Sequence, residues 1–423
     1  MKKRRPIDVP SLYDSAIAEA FSPDAKLNEV TQIVVALGRA LHQVGQPAHK
    51  VERTLVRVAE RFHVPLEVFV VPTGQFLSFH REQGPVTFVL RINPGPVALD
   101  RLSRLMSVAD RLVDGSLAPL AAKAHLDQIA QEEKPRSSLT TASYYVLSAA
   151  PFSIFFGGGW TELIVSTCVG LTVGLIAAIM ARFGRSGRPF ELVAAAAAAF
   201  IAGSADEILG AYGGWIPLAA GLIVLLPGIA LVDSLEELAN GQLTAGASRL
   251  AGVGVVFLAL TFGSIVGYSA AEMWPKVHSV EAVHLQEWFI LPALLVVAVG
   301  STLRFRARFS DVWLILGAST LALVGTRLGT AYIGHLAGPF LAAAMLGVVG
   351  NLYARYSRRA AELLIVPGIA LLVPGSVGAR SLECLLSQDT AMLGVADAFD
   401  MFLLGIALVA GLLFSNSLVG ERR

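Results

Sequence analysis

The sequence predicts a polytopic α-helical membrane protein, with ten transmembrane helices in two inverted five-helix repeats behind an N-terminal cytosolic α/β domain. Three observations predict it. From about residue 140 to residue 414 the chain is a near-continuous series of apolar segments, in a composition of 54% hydrophobic and only 15% charged residues; an ordinary soluble domain carries about 25% charge. A proline-broken pattern recurs without a gap, PGIALVDSLEEL at 227–238 and PGSVGARSLECL at 374–385, matching at Pro227/Pro374, Gly228/Gly375, Ser234/Ser381, Leu235/Leu382, Glu236/Glu383 and Leu238/Leu385. Arginines also alternate from loop to loop in the manner of the positive-inside rule.

The first 138 residues are rich in Arg, Glu, Asp and Lys, and the remainder is not. The basic start MKKRRPIDVP is followed by no apolar core, so it does not read as a signal peptide, and the first domain is expected to stay in the cytosol. Val30, Ile33, Val34, Leu37 and Leu41 share one helical face over 28–44, ended by Gly45 and Pro47; a second amphipathic helix is expected at about 48–62. The runs 66–71, 75–80 and 86–92 are β-branched or aromatic-rich with PTG and REQGP between them, and read as strands. Two further helices, about 97–114 and 119–131, lead to the charged linker QEEKPRSS.

Beyond the linker, ten spans are expected at about 140–156, 160–181, 190–205, 212–232, 248–270, 286–303, 311–326, 331–353, 361–378 and 395–414. With a cytosolic first domain, the cytosolic loops and tail carry Arg182, Arg185, Arg188, Arg249, Arg304, Arg306, Arg308, Arg355, Arg358, Arg359, Arg422 and Arg423, and the opposite loops carry Lys276, Arg327 and Arg380. Twelve against three favours ten spans with both termini cytosolic, in the cell (inner or plasma) membrane. Ten spans that repeat divide into fives, and an odd number inserts the second half from the opposite side. The expected domains are therefore 1–138, 139–272 and 273–423, the last two being the repeats.

Interruptions at matching positions of two repeats point to a transporter's binding site. Proline removes a backbone donor, and an unwound turn beyond it exposes a helix N-terminus that favours a carboxylate. Pro227, Gly228, Pro367, Gly368, Pro374 and Gly375 are therefore the candidate substrate-binding positions, with Arg380 close enough to the last break to reach an anionic substrate. A carboxylate at membrane depth is costly, which makes Glu162 and Asp233 the candidates for binding a proton or an ammonium group. Asp206, Asp397 and Asp400 are expected near an interface as solvated acids, and His335 as a polar helix-end residue. Trp160, Trp215, Trp274 and Trp288 fall at span ends, as interfacial anchors do. Cys168 and Cys384 are too few for a disulfide framework or a metal site. In the first domain a hydrolase arrangement of Thr73, Ser78, His49 and Asp100 can be drawn, but no spacing demands it. No phosphate-binding loop, HExxH or CxxC occurs, so no cofactor or metal is expected and an ion gradient is left as the energy source.

Several segments resemble one known family. LGRALHQVGQPAHKVERTL (37–55), VFVVPTGQFLSF (68–79), FFGGGW (155–160), PGIALVDSLEEL followed by Gly241 and Gly246, and GNLYARYSRRAAELLIVPGIALLVPGS (350–376) occur in the order found in threonine/serine exporters. The resemblance implies a cytosolic α/β domain joined to a ten-helix pore domain, and export of threonine, serine or related small metabolites driven by the proton motive force. The acidic DSLEEL departs from the more neutral residues of relatives, which bears on substrate identity. A related arrangement, with the two membrane halves on separate chains, resembles a dicarboxylate (succinate) exporter, and a membrane-tethered hydrolase is the reading from another class. The partners expected are the small-molecule substrate, protons and the lipid bilayer, with no nucleic acid; the linker allows a homo-oligomer.

Overall fold

The computed structural model describes residues 25–80, 84–132, 136–182, 189–209, 215–273, 285–372, 377–378, 381, 384 and 391–420. The chain divides into two compact units, Met1–Pro96 with Arg104–Glu133, and Val97–Ser103 with Lys134–Arg423.

In the first unit, α1 (Ala25–Gln43) and α2 (Ala48–Arg61) precede three strands, β1 (Leu66–Val71), β2 (Gly74–Phe79) and β3 (Val86–Arg91). The strands pair antiparallel in the order β1-β2-β3, with Leu66 opposite Phe79 and Phe79 opposite Val86. Only Pro72 and Thr73 separate the paired Val71 and Gly74, so the expected PTG turn closes a tight hairpin. Val30, Ile33, Val34, Leu37 and Leu41 are all buried, as their helical spacing requires. They share the core with Val51, Leu55 and Val58 of α2, Leu77 and Phe79 of β2, and Leu90 of β3. The rest of this unit is the later part of α3 (Leu99–Val113) and α4 (Pro119–Gln131), whose Ala122, Leu126 and Ile129 are buried. A polar contact crosses the core. Buried Gln75 donates from Nε2 to Gly38 O at 2.9 Å and lies 3.1 Å from His42 Nδ1, while His42 Nε2 lies 2.9 Å from Pro72 O. With Nδ1 accepting from the amide, His42 is the tautomer that donates to Pro72.

The second unit is helical: α5 (Ser138–Phe155), α6 (Trp160–Arg182), α7 (Pro189–Leu209), α8 (Trp215–Leu222), α9 (Gly228–Ala239), α10 (Leu243–Ala271), α11 (Ile290–Arg304), α12 (Val312–Tyr332), α13 (Ala337–Ser357), α14 (Glu362–Leu372) and α15 (Ala391–Val419). Seven helical segments among the described residues are long and apolar enough to cross a membrane: α6, α7, α10, Glu287–Arg304, Phe309–Tyr332, α13 and Met392–Val419. The protein is thus a multi-pass membrane protein. Ser137 caps α5, its Oγ accepting from Thr140 N at 3.0 Å. Trp160, Trp215 and Trp288 stand at helix beginnings, and Trp274 lies outside the described residues.

Packing rests on small residues, because lipid removes the hydrophobic drive between helices. The alanine run of α7 buries Ala194, Ala195, Ala198 and Ala199 completely, and α10 lies so close that a Cβ on Gly267 would stand 2.2 Å from Ala196 O. The contact of α13 with α15 is alike, with a Cβ on Gly411 2.3 Å from Phe340 O. Five pairings recur between the halves: α5 with α6 and α11 with α12, α6 with α7 and α12 with α13, α6 with α8 and α12 with α14, α7 with α8 and α13 with α14, α7 with α10 and α13 with α15. Across the halves α5 packs on α11, and α9 on α14 and α15.

Candidate functional site

The first interruption forms where Pro227 predicts it. Helix α8 stops at Leu222 and α9 begins at Gly228, with Leu225 N and Leu226 N both bonded to Leu222 O in the turn between. The first ladder bond of α9 runs from Leu231 N to Pro227 O at 2.9 Å, and no side chain caps this start. The amides of Gly228, Ile229 and Ala230 therefore precede the ladder, at the positive end of the helix dipole. The turn is enclosed, since Leu222, Ile223, Leu226 and Gly228 are buried. Arg304, at the end of α11, donates to Val224 O within the turn at 3.1 Å. Arg136 donates to Leu303 O at 2.6 Å and Arg304 O at 3.0 Å, capping the same helix end; burial draws its guanidinium pKa below the usual value.

Helix α14 corrects an expectation. It runs without interruption from Glu362 to Leu372 with Pro367 inside it, so no new N-terminus forms at Pro367-Gly368. Both residues are buried, and Gly368 admits Leu346 of α13, whose Cδ atoms would stand 2.6 Å from a Cβ there. Pro367-Gly368 is thus a packing step. Pro374, Gly375 and Arg380 lie outside the described residues. The repeat-matched Ser234 and Ser381 are both fully buried, and donate to Leu231 O and Gly394 O, each at 2.7 Å. One apolar cluster gathers Leu231, Val232 and Leu235 of α9 with Leu364 and Ile369 of α14, and Leu371 packs against both this cluster and that around α6 and α8.

The acids divide by environment. Glu162, 3% exposed, occupies the third position of α6 and accepts from Gly159 N at 2.8 Å, so its carboxylate caps the helix start after the glycine run. Asp233 is half-buried on α9. Four residues on, Glu237 is fully buried and takes both prongs of Arg249 from α10, at 2.8 and 3.0 Å. Asp397 differs from its reading as a solvated acid: it lies inside α15 and is buried. Sequence spacing carried no signal for the Glu237–Arg249 fork or for Arg304 on the turn, since each partner is set by how the helices fold back.

In the first unit, Thr73 is exposed, the Ser78 hydroxyl accepts from Thr87, and in the second unit Asp100 pairs with Arg308. Thr73, Ser78 and Asp100 thus have surroundings other than those of a catalytic triad. Among the described residues no group of three or more His, Cys, Asp or Glu is placed to hold a metal ion.

A family model described as "Putative threonine/serine exporter" matches residues 32–271, and a second, described as "Threonine/Serine exporter", matches 289–418. The chain belongs to the threonine/serine exporter family. Relatives of this exporter-family chain include the pheromone-regulated membrane protein 10 of Eremothecium gossypii, 24% identical over 84% of the chain and 50% of the relative. Those of Saccharomyces cerevisiae (24% identical, 83% and 47%) and Kluyveromyces lactis (25% identical, 84% and 38%) are similar. The chain spans half or less of the length of these curated relatives. No solved structure matches it.

Proposed function

We propose that this protein is a secondary-active exporter of threonine, serine or related small amino acids, driven by the proton motive force. The observation that carries the reading is the enclosed turn 223–227, which leaves the amides of Gly228, Ile229 and Ala230 at an uncapped helix start inside the bundle. A substrate carboxylate docks there, and the sequence-matched Pro374-Gly375 and Arg380 are assigned to the same role. Glu162 or Asp233 takes the proton or the ammonium group. Ten spans in two inverted repeats supply alternating access; the five recurring helix pairings and the α5–α11 contact support that arrangement. The soluble domain is cytosolic, as are both termini, in the cell membrane.

The test is transport of labelled threonine by proteoliposomes with and without an imposed pH gradient. Gly228→Leu is expected to abolish transport. Glu162→Gln keeps an oxygen for Gly159 N–H but cannot ionise, and is expected to remove the pH-driven component at least tenfold. Unchanged rates in both folded variants would overturn the site, and uptake of succinate in place of threonine would favour the dicarboxylate reading.

A further inference from the structure

A second site of different chemistry lies among α12, α13 and α14. There a cavity of about 560 Å³ is lined by Trp313, Leu314, Leu321, Leu346, Tyr353 and Leu364, with Gly317, Ala318 and Val349 between them. Its lining is almost entirely apolar, which suits hydrocarbon and not a small hydrophilic amino acid. The volume is that of a ligand cleft, typically about 300–1,000 Å³. One end is polar. Tyr353 OH, on the cavity wall, accepts from Arg359 Nη1 at 3.3 Å, and Arg359 forks onto Asp311, with both contacts at 2.7 Å. That bond to Asp311 holds the Arg359 guanidinium pKa above its usual value, so its charge is fixed and matched.

Arg358 beside it is different. It is exposed and, among the described residues, makes no ion pair or hydrogen bond within the chain. It also ends α13 with a left-handed φ of 56°, a conformation in which glycine is the usual residue at a helix end. Arg355 and Arg308 add charge nearby in sequence and fold, although Arg355 caps α15 and Arg308 is matched by Asp100. An apolar slot walled by Tyr353, on the last turns of a helix that ends at Arg358, complements a molecule with a hydrocarbon tail and an anionic head.

We propose that this cavity holds an acyl chain of an anionic glycerophospholipid, whose phosphate is met by Arg358. The site is separate from the transported substrate's, and its test is independent of transport.

Trp313 is 72% exposed and lines the cavity, so it serves as a reporter. Gly317 offers a clean block, because a Cβ there meets nothing within 4 Å and a larger side chain projects into open space. The full chain is placed in phosphatidylcholine nanodiscs containing increasing fractions of dibrominated phosphatidylglycerol or dibrominated phosphatidylcholine, and tryptophan quenching is measured. The expected result is saturable quenching by the anionic lipid at a fraction at least threefold lower than by phosphatidylcholine, absent in Trp313→Phe. Gly317→Leu and Arg358→Gln should each erase that preference; Arg358 is exposed, so its variant carries the test if Gly317→Leu fails to fold. Equal quenching by the two lipids, or retention of the preference in folded Gly317→Leu and Arg358→Gln, would overturn the proposal. So would a dimer that shields Trp313 from both lipids, since a second copy would then occupy the cavity.

Discussion

Replacing Arg249 with Gln removes the forked cation from the fully buried Glu237 carboxylate, which it holds by two contacts of 2.8 and 3.0 Å. Hydrogen bonds to charged groups contribute about 1.5–3 kcal/mol each, so losing two costs roughly 3–6 kcal/mol. A similar range follows from breaking a buried pair on one side, about 3–5 kcal/mol. Arg249 is 22% exposed at its side chain, which places the expectation toward the lower end. At roughly 2 °C per kcal/mol for a large unit, Arg249→Gln should lower the melting temperature by at least about 6 °C. The assay is thermal unfolding of the full chain followed by fluorescence-detected size exclusion. The double variant Glu237→Met with Arg249→Leu removes both charges and should recover at least about 2 °C, since a buried pair is often replaceable by apolar residues at little cost. A single variant melting within about 2 °C of the parent, or a double variant melting below it, would refute the reasoning.

Three further outcomes are expected. Gly267→Ala places a methyl 2.2 Å from Ala196 O and should cost about 1–3 kcal/mol by overpacking, whereas Gly254→Ala in the same helix, with nothing within 4 Å, should not lower the melting temperature. Arg304→Gln should weaken the turn by about 1.5–3 kcal/mol, read as faster hydrogen exchange confined to residues 222–231. The hydrogen bond from Arg104 lowers the Glu132 pKa below its ordinary 4.5, so this contact stabilises the end of α4 above pH 4.5 and is lost as pH falls through the folded value; Arg104→Gln should shrink that pH dependence of exchange at residues 128–132, leaving the smaller part due to Gln128.

The sequence was most readable where local rules act alone. The apolar face of α1 followed from side-chain period, and the three strands from β-branched and aromatic runs bounded by turn residues. Pro227 stopped its helix because its ring and missing N–H oppose the ladder. Pro367 carries the same local signal and does not stop its helix: Gly368 lets Leu346 seat against it, and tertiary packing overrides the penalty. Glu162 was legible as a buried acid, but its use as the cap of α6 depended on where the glycine run ends. Arg304 and Val224 stand 80 residues apart, and nothing short of the folded bundle joins them.

Helices α10 and α15 each contain 29 residues. At 1.5 Å per residue each is about 43 Å long, against a hydrocarbon thickness of about 30 Å. Tilting within the usual range absorbs only part of the excess, so one end of each rod stands clear of the oil. The polar groups Arg249 on one rod and Asp397 and Asp400 on the other all lie in the N-terminal turns, which marks those turns as the overhang. In the proposed inverted arrangement the two overhangs emerge on opposite faces, giving each membrane surface one stiff lever.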